Sequence, residues 1–352
     1  MTLLSVDVTK RIQQVSDKIF VFSVMRNERI RVESWIRHYS SIGIRHFYII
    51  DNGSTDGTYE FLSNQPGVIC EVSYDSYQGS NYGLDWLNKF RSIVGPDKWV
   101  LFADADELIV YEGWPDRPIL ELIDKSEAFA CDAVHGFMLD MYPDGPFDLA
   151  PAKISKDLFS MAPCFDSDYQ FMFLPQKPWA HKSNDIVSVI GGPRVRLLSN
   201  MKRECRVSWF DLFIRGQIDR ILPWVPDILV PTVVRCFPRS MPALQKIPLT
   251  KGGSEFQYIN AHRVNGGKYY KQNVILCHFK FLYDFASRVG TEVARKEHYR
   301  RGAEYIMYND LIKKHGSLDF RYSGTQRFVS SEQLMKLGLI REMSFSKSLT
   351  NF

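Results

Sequence analysis

The sequence lacks most of the features that would fix a protein's class quickly. Its six cysteines (Cys70, Cys131, Cys164, Cys205, Cys236 and Cys277) include no CxxC pair. That argues against a cysteine zinc site or a disulfide framework and leaves reduced, mainly buried thiols. No apolar run is long enough to span a bilayer. The N-terminal stretch "MTLLSVDVTKRIQQVSDKIFVFSVM" is too short and too interrupted by charge for a signal peptide or anchor, so a cytoplasmic chain is expected. An excess of one charge sign is also missing: 44 lysines and arginines face 40 acids, a formal charge of +4. So slight an excess does not call for nucleic acid, although it suits a phosphorylated ligand or an anionic membrane face. There is no internal repeat and no low-complexity linker. What is plentiful is apolar material, at 45% hydrophobic and 14% aromatic residues, enough for the core of one elaborated domain.

Strand and helix signals alternate through the first 125 residues. "KIFVFSVM", "RHFYIID", "GVICEVSY" and "KWVLFADADEL" are segments that open in β-branched and aromatic runs and read as strands. "RIRVESWIRHYSSIG", Thr58 to Leu62 and "NYGLDWLNKFRSIV" between them read as helices. This alternation predicts βαβ units and a parallel sheet, with ligands at the carboxyl ends of the strands. Beyond Ile123 the pattern weakens. "ACDAVHGFMLDMY" predicts a further strand, and "HKSNDIVSVIGGPRVRLL" predicts strand, Gly-Gly turn and strand, so a mixed sheet is expected there. "NVILCHFKFLYDFASRVGTEVARKEHY" predicts a strand running into an amphipathic helix, and "AEYIMYNDLIKKHG" a second helix.

Polar groups gather at three predicted strand ends: Asn27-Glu28, Asp51-Asn52-Gly53 and Asp104-Ala105-Asp106-Glu107. In a parallel sheet these ends share one edge. Carboxylates so close repel unless a cation neutralises them, and oxygen ligands suit magnesium or manganese, ions that commonly bridge protein carboxylates to phosphates. Residues two apart on an extended segment face one side, so Asp104 and Asp106 are expected to share one ion, while Glu107 points away as a structural residue.

These residues carry a resemblance. "VFSVMRNERIRVESWIRHYSSIGIRHFYIIDNGSTDGTYEFL" together with "WVLFADADELIV" resembles the nucleotide-sugar half of GT-A glycosyltransferases, in particular the family 2-like group. "LQKIPLTKGG", "INAHRV" and "ILCHFKFLYDFASRV" extend the match over most of residues 18 to 310. The resemblance implies a GT-A, Rossmann-like α/β fold with a mixed, mainly parallel sheet. It divides the chain into an N-terminal segment (1–17), a nucleotide-sugar half (18–125), an acceptor half (126–290) and a helical C-terminal extension (291–352). It further implies that Asp51 contacts the donor nucleoside, with Asn52 beside it and Asn27 and Glu28 near base and ribose. Asp104 and Asp106 would hold Mn2+ or Mg2+ on the donor diphosphate. His278 is a candidate third ligand, with His262 behind it, and Lys246 and Lys251 are candidate phosphate contacts.

The general base that such a transfer needs is sought among Asp140, Asp211, Glu255 and Asp144, of which Asp140, beside the metal strand, comes first. Trp179, Trp209, Trp224, Tyr269 and Tyr270 read mainly as core, with an acceptor groove as the alternative. The implied activity is hexosyl-type transfer, with inversion, from a nucleoside-diphosphate sugar to a glycan or lipid-linked acceptor, in polysaccharide biosynthesis. The basic run "RKEHYRRGAEY" keeps peripheral membrane association open. Two rivals remain: a nucleotidyltransferase, whose usual glycine-rich loop "VMRNERIRVE" lacks, and a non-catalytic glycan-binding protein with the same fold.

Overall fold

The computed structural model describes residues 3–146, 157–174, 186–198, 244–295, 299–315 and 318–343. The chain opens with helix α1 (Val6–Gln14), followed by β1 (Ile19–Met25), α2 (Arg29–Ser41), β2 (Phe47–Asp51), α3 (Thr58–Ser63), β3 (Val68–Val72), α4 (Leu84–Val94) and β4 (Trp99–Phe102). Then come β5 (Glu107–Val110), α5 (Ile119–Ala128), β6 (Ala133–Tyr142), α6 (Leu158–Met161), β7 (Cys164–Asp166), β8 (Tyr169–Leu174), β9 (Ile186–Gly191) and α7 (Gly192–Leu198). The last strands are β10 (Gln245–Lys251), β11 (Tyr258–Asn260), β12 (Arg263–Val264), β13 (Tyr269–His278) and β14 (Thr325–Arg327), with helices Phe285–Arg295, Tyr299–His315 and Ser331–Lys336 around them.

Ten strands form one mixed sheet in the order β14-β7-β6-β10-β4-β1-β2-β3, with β13 bridging β5 and β6. From β4 through β1 and β2 to β3 every pairing is parallel. This is the α/β layer that the alternation predicted. Beyond β4 the pairings turn antiparallel at β10, and β13 returns parallel to β6.

The parallel half is buried on both faces, which is why its strands read as continuous apolar runs rather than alternating ones. One face packs Val21, Ile49 and Leu101 against Trp35 and Tyr39 of α2. The other packs Phe20, Phe22, Tyr48 and Ile50 against Leu87 and Phe90 of α4, with Tyr48 and Phe90 stacked 4.7 Å apart. The N-terminal arm joins this second face: Ile12 is buried, and Leu4 N–H donates to the buried Glu71 carboxylate at 2.9 Å.

One element departs from the sequence reading. The segment after β9 is helix, not a second strand: Gly192 takes a left-handed φ of 77° and Pro193 follows at the start of α7, a position where proline's fixed φ is already helical. Strand β10 carries Pro248 in the middle of the sheet, where a missing N–H would cost a ladder bond. Its register with β6 shifts between Lys246 and Leu249, and Gly136 opposite leaves the ring room, since a β-carbon there would stand 3.1 Å from Pro248.

Candidate functional site

The loops after β1 and β2 interlock, and most of the DNGSTDGT segment is spent on that lock. Asn27, at φ 54°, accepts from Thr55 N–H at 2.8 Å and donates its own N–H to Ser54 Oγ at 2.9 Å. Asp56 accepts from the N–H groups of Thr58 and Arg29, and Thr58 Oγ1 accepts from Glu28 N–H. Gly53 and Gly57 supply the left-handed turns, with φ 73° and 88°. Asn52 is buried and donates twice, to the carbonyls of Ser73 and Asp75, both at 3.0 Å. Asn27 and Asn52, expected at the donor, therefore both hold loops in place.

Asp51 is the exception. It is 1% exposed; Oδ1 accepts from Ser54 N–H at 2.8 Å, while the buried Oδ2 has no partner among the described residues. A carboxylate oxygen left unmatched in the interior is costly unless something else binds it.

The loop that Asn52 pins presents Tyr74, whose side chain is 88% exposed. Its ring lies against Gly53, 3.3 Å from where a β-carbon would stand. Further along the same loop Asn81, Tyr82 and Gly83 are successive left-handed residues, with φ of 53°, 58° and 80°. Two of the three are not glycine, a costly arrangement that clusters at binding sites. The sequence reading missed these residues, and the Asn-Tyr-Gly run before α4 was the signal available.

Around the second acidic strand end every carboxylate meets a cation. Phe102 closes β4 and Glu107 opens β5, so Asp104 and Asp106 lie outside both strands, with a turn at Ala105 and Asp106, and the side chains of Asp104 and Asp106 go to different partners. This corrects the expectation of an i, i+2 pair on one strand face. Asp104 Oδ2 accepts from Lys246 Nζ at 2.6 Å, and Glu107 Oε1 stands 2.6 Å from the same ammonium. Burial would lower Lys246, but the two carboxylates outweigh it and raise its pKa above the usual lysine value. Glu107 is fully buried, which raises its carboxyl against the pull of Lys246. Its Oε2 accepts from Asp104 N–H at 3.2 Å, the structural role expected of it.

Asp106 faces His278 and Arg288, each 3.5 Å from its Oδ2. Burial opposes its charge, yet His278, Arg288 and Arg31 hold its pKa well below the carboxylate range. His278 donates from Nδ1 to Asp140 Oδ1 at 2.6 Å, and Asp140 Oδ2 accepts from Arg194 Nε at 2.7 Å. Burial disfavours the imidazolium, but Asp106 and Asp140 outweigh it and raise His278. Glu28, expected near the nucleoside, has both oxygens engaged, by Arg288 at 2.7 Å and Arg31 at 3.2 Å. Burial still pushes it up to about 7.

The candidate bases separate. Asp140 is fully buried with both oxygens paired, so as placed it orients His278 and is not open to an acceptor. Glu255 is exposed beyond the end of β10, where Lys251 pairs with Trp99 at the start of β4. Both Glu255 and Lys251 thus belong to the edge opposite the acids. Asp144 pairs on the surface with Arg327 at 3.0 Å. Asp211 lies outside the described residues, as do Trp179, Trp209 and Trp224. His262 stays near the site, donating to Gln245 O at 2.5 Å, with burial pushing it down to about 4. Tyr270 is buried in β13, and Tyr269 beside it is half-buried.

A divalent ion fits part of this arrangement. His278 Nε2 and Asp106 Oδ2 stand 3.5 Å apart, close to the roughly 3 Å between neighbouring ligands at about 2.1 Å from one small ion. A carboxylate on the other ring nitrogen, the place Asp140 takes, is the usual support of a metal-binding histidine. Among the described residues no three acid, histidine or cysteine side chains gather as an ion's ligands. The protein would thus contribute Asp106 and His278, with the remaining positions left to phosphate oxygens and water.

No family model matches the chain, and no curated protein matches it. Among solved structures, the crystal structure of S. aureus TarS aligns at 14% identity over 42% of this chain and 27% of that one, with a TM-score of 0.27. A likeness of that size carries no argument about activity. No helix among the described residues is long and apolar enough to cross a membrane.

Proposed function

We propose that this protein is a metal-dependent glycosyltransferase of the GT-A type, moving a sugar from a nucleoside-diphosphate donor to a hydroxyl of a glycan or lipid-linked acceptor. Inversion, and a setting in polysaccharide biosynthesis at the cytoplasmic membrane face, follow from the motif resemblance and belong to the same proposal. The observation that carries it is a charge deficit. With all carboxylates ionised, Glu28, Asp104, Asp106, Glu107, Asp140 and Asp284 face four permanent cations, Arg31, Arg194, Lys246 and Arg288. Among the described residues six against four leaves two negative charges, which the raised His278 and Glu28 offset in part until a metal displaces the imidazole proton. A doubly charged ion would cancel that excess and so remove the rim's repulsion of a diphosphate.

In this reading Asp106 and His278 would hold a divalent ion, whose chemistry would be to offset negative charge on a leaving diphosphate. Asp140 and Arg194 fix the imidazole, and Lys246 keeps Asp104 and Glu107 from repelling each other. The unmatched oxygen of Asp51 accepts a hydrogen bond from the donor's nucleoside, and Tyr74 offers its base a stacking face. The nucleotidyltransferase reading is disfavoured because the N–H groups at the start of α2, which would cradle phosphate in such an enzyme, are already taken by Ser54, Asp56 and Thr58. The test is donor hydrolysis and nucleotide-sugar binding, screened across several bases and sugars with manganese and again after chelation. Binding that is indifferent to the metal would leave only the glycan-binding alternative.

A further inference from the structure

Arg288 has more unused hydrogen-bonding capacity than the pairings around it require. Helix Phe285–Arg295 carries it, and a closed set of ion pairs fixes it. Arg31 donates to Asp284 at 2.7 and 2.8 Å and to Glu28 Oε2 at 3.2 Å, and Glu28 Oε1 accepts from Arg288 Nη2 at 2.7 Å. This places Nη1 3.5 Å from Asp106 Oδ2, long for a charge-assisted bond. A guanidinium has five N–H groups; these contacts use two, and the other three meet no acceptor among the described residues. The side chain is 23% exposed, so part of it faces solvent beside the acidic turn. Simple neutralisation does not call for this surplus, because Glu28 is also held by Arg31 and Asp106 also faces His278.

Resting on the donor reading above, we propose that Arg288 is a catalytic residue whose free N–H groups bind the donor diphosphate and stabilise it as it leaves. In the transfer, the bond between the anomeric carbon and the phosphate oxygen breaks and its electron pair stays on that oxygen. The acceptor oxygen bonds to the anomeric carbon, and its proton passes to solvent. The new charge therefore appears on the diphosphate, where a fixed guanidinium fork offers parallel donors with no reorganisation.

The experiment is calorimetric titration of the full chain and of Arg288→Gln, first with Mn2+ and then with inorganic pyrophosphate in the presence of Mn2+. Arg288→Gln should weaken pyrophosphate binding at least tenfold while leaving Mn2+ binding unchanged or tighter, because a cation next to Asp106 is gone. Arg288→Lys should recover part of the pyrophosphate affinity. Parallel loss of both ligands would mark a merely structural residue and overturn the assignment, as would unchanged pyrophosphate binding. If Arg288→Gln does not fold, Glu28→Gln decides: freeing Arg288 from a competing charge should tighten pyrophosphate severalfold, and no tightening counts against the proposal. Wild-type protein that binds no pyrophosphate with Mn2+ present sinks the donor reading itself; wild-type binding with an unaffected Arg288→Gln sinks only the role of Arg288.

Discussion

The two acidic strand ends of the sheet solve the same electrostatic problem in opposite ways. At the end of β2, Asp51 is buried with one oxygen bonded locally, to an N–H three residues on, and the other oxygen bare. After β4, Asp104, Asp106 and Glu107 are matched by side chains from far along the chain, Lys246 and Arg288 lying 142 and 182 residues from their partners. The first end keeps an acceptor without a partner among the described residues, the one to which the donor reading assigns the nucleoside. The second balances most of its charge internally, and its shortfall appears only when the whole cluster is counted. Substitutions at the two ends should therefore separate binding from stability.

The largest effect is expected at Asp106. Asp106→Asn should lower metal-dependent donor turnover by about 10³-fold, the scale seen when a group stabilising transition-state charge is lost. Stopped assays of nucleoside-diphosphate release with manganese measure it, and turnover near wild type would refute the proposed metal site. Next is Lys246→Met, which strands Asp104 and Glu107 without their cation. Breaking a buried pair typically costs about 3–5 kcal/mol, and urea unfolding should show a loss of that order, partly regained in the double variant with Glu107→Gln.

Acid should act next, through histidines outside the charged cluster as well as beside it. Burial pushes His38, His135 and His262 down to about 4. The unfolded chain takes up these protons at the ordinary value, so the stability they confer is complete above about pH 6.5 and is lost as pH falls toward 4, at about 1.4 kcal/mol per unit for each group. His278 and Glu28, whose values are raised, work in the opposite sense. Denaturation midpoints should thus drop between pH 6.5 and 4.5, and His38→Gln should flatten that slope.

The smallest stability changes belong to the other strand end. Asp51→Asn retains the bond to Ser54 and removes a buried unmatched charge, so unfolding free energy should change by no more than about 1 kcal/mol. Nucleotide-sugar binding should nevertheless fall at least tenfold. Tyr74→Ala, at an 88% exposed side chain, should leave stability within about 0.5 kcal/mol while weakening donor binding by about tenfold, within the range of base–aromatic stacking. A stability loss at Asp51 or Tyr74 as large as at Lys246 would erase the contrast.

The parallel half of the sheet was legible because each strand is a local apolar run and each helix a local period. The edge on which Asp51 and Asp104 gather followed from that parallelism alone. The antiparallel half was harder to read. The short apolar run "GGPRVRLL" fits helix or strand equally well by period. Among the site residues, Asp140 looked like a base because its place beside the metal strand was readable while its pairing with Arg194 and His278 was not.

Sequence by itself determined the elements of the α/β layer and the edge on which its acids collect, because hydrophobic period and turn chemistry act over a few neighbouring residues. Tertiary structure alone decided which acid is neutralised and which keeps an oxygen without a partner among the described residues. Charge compensation depends on distances of a few ångströms between groups more than a hundred residues apart, and no local pattern encodes those distances.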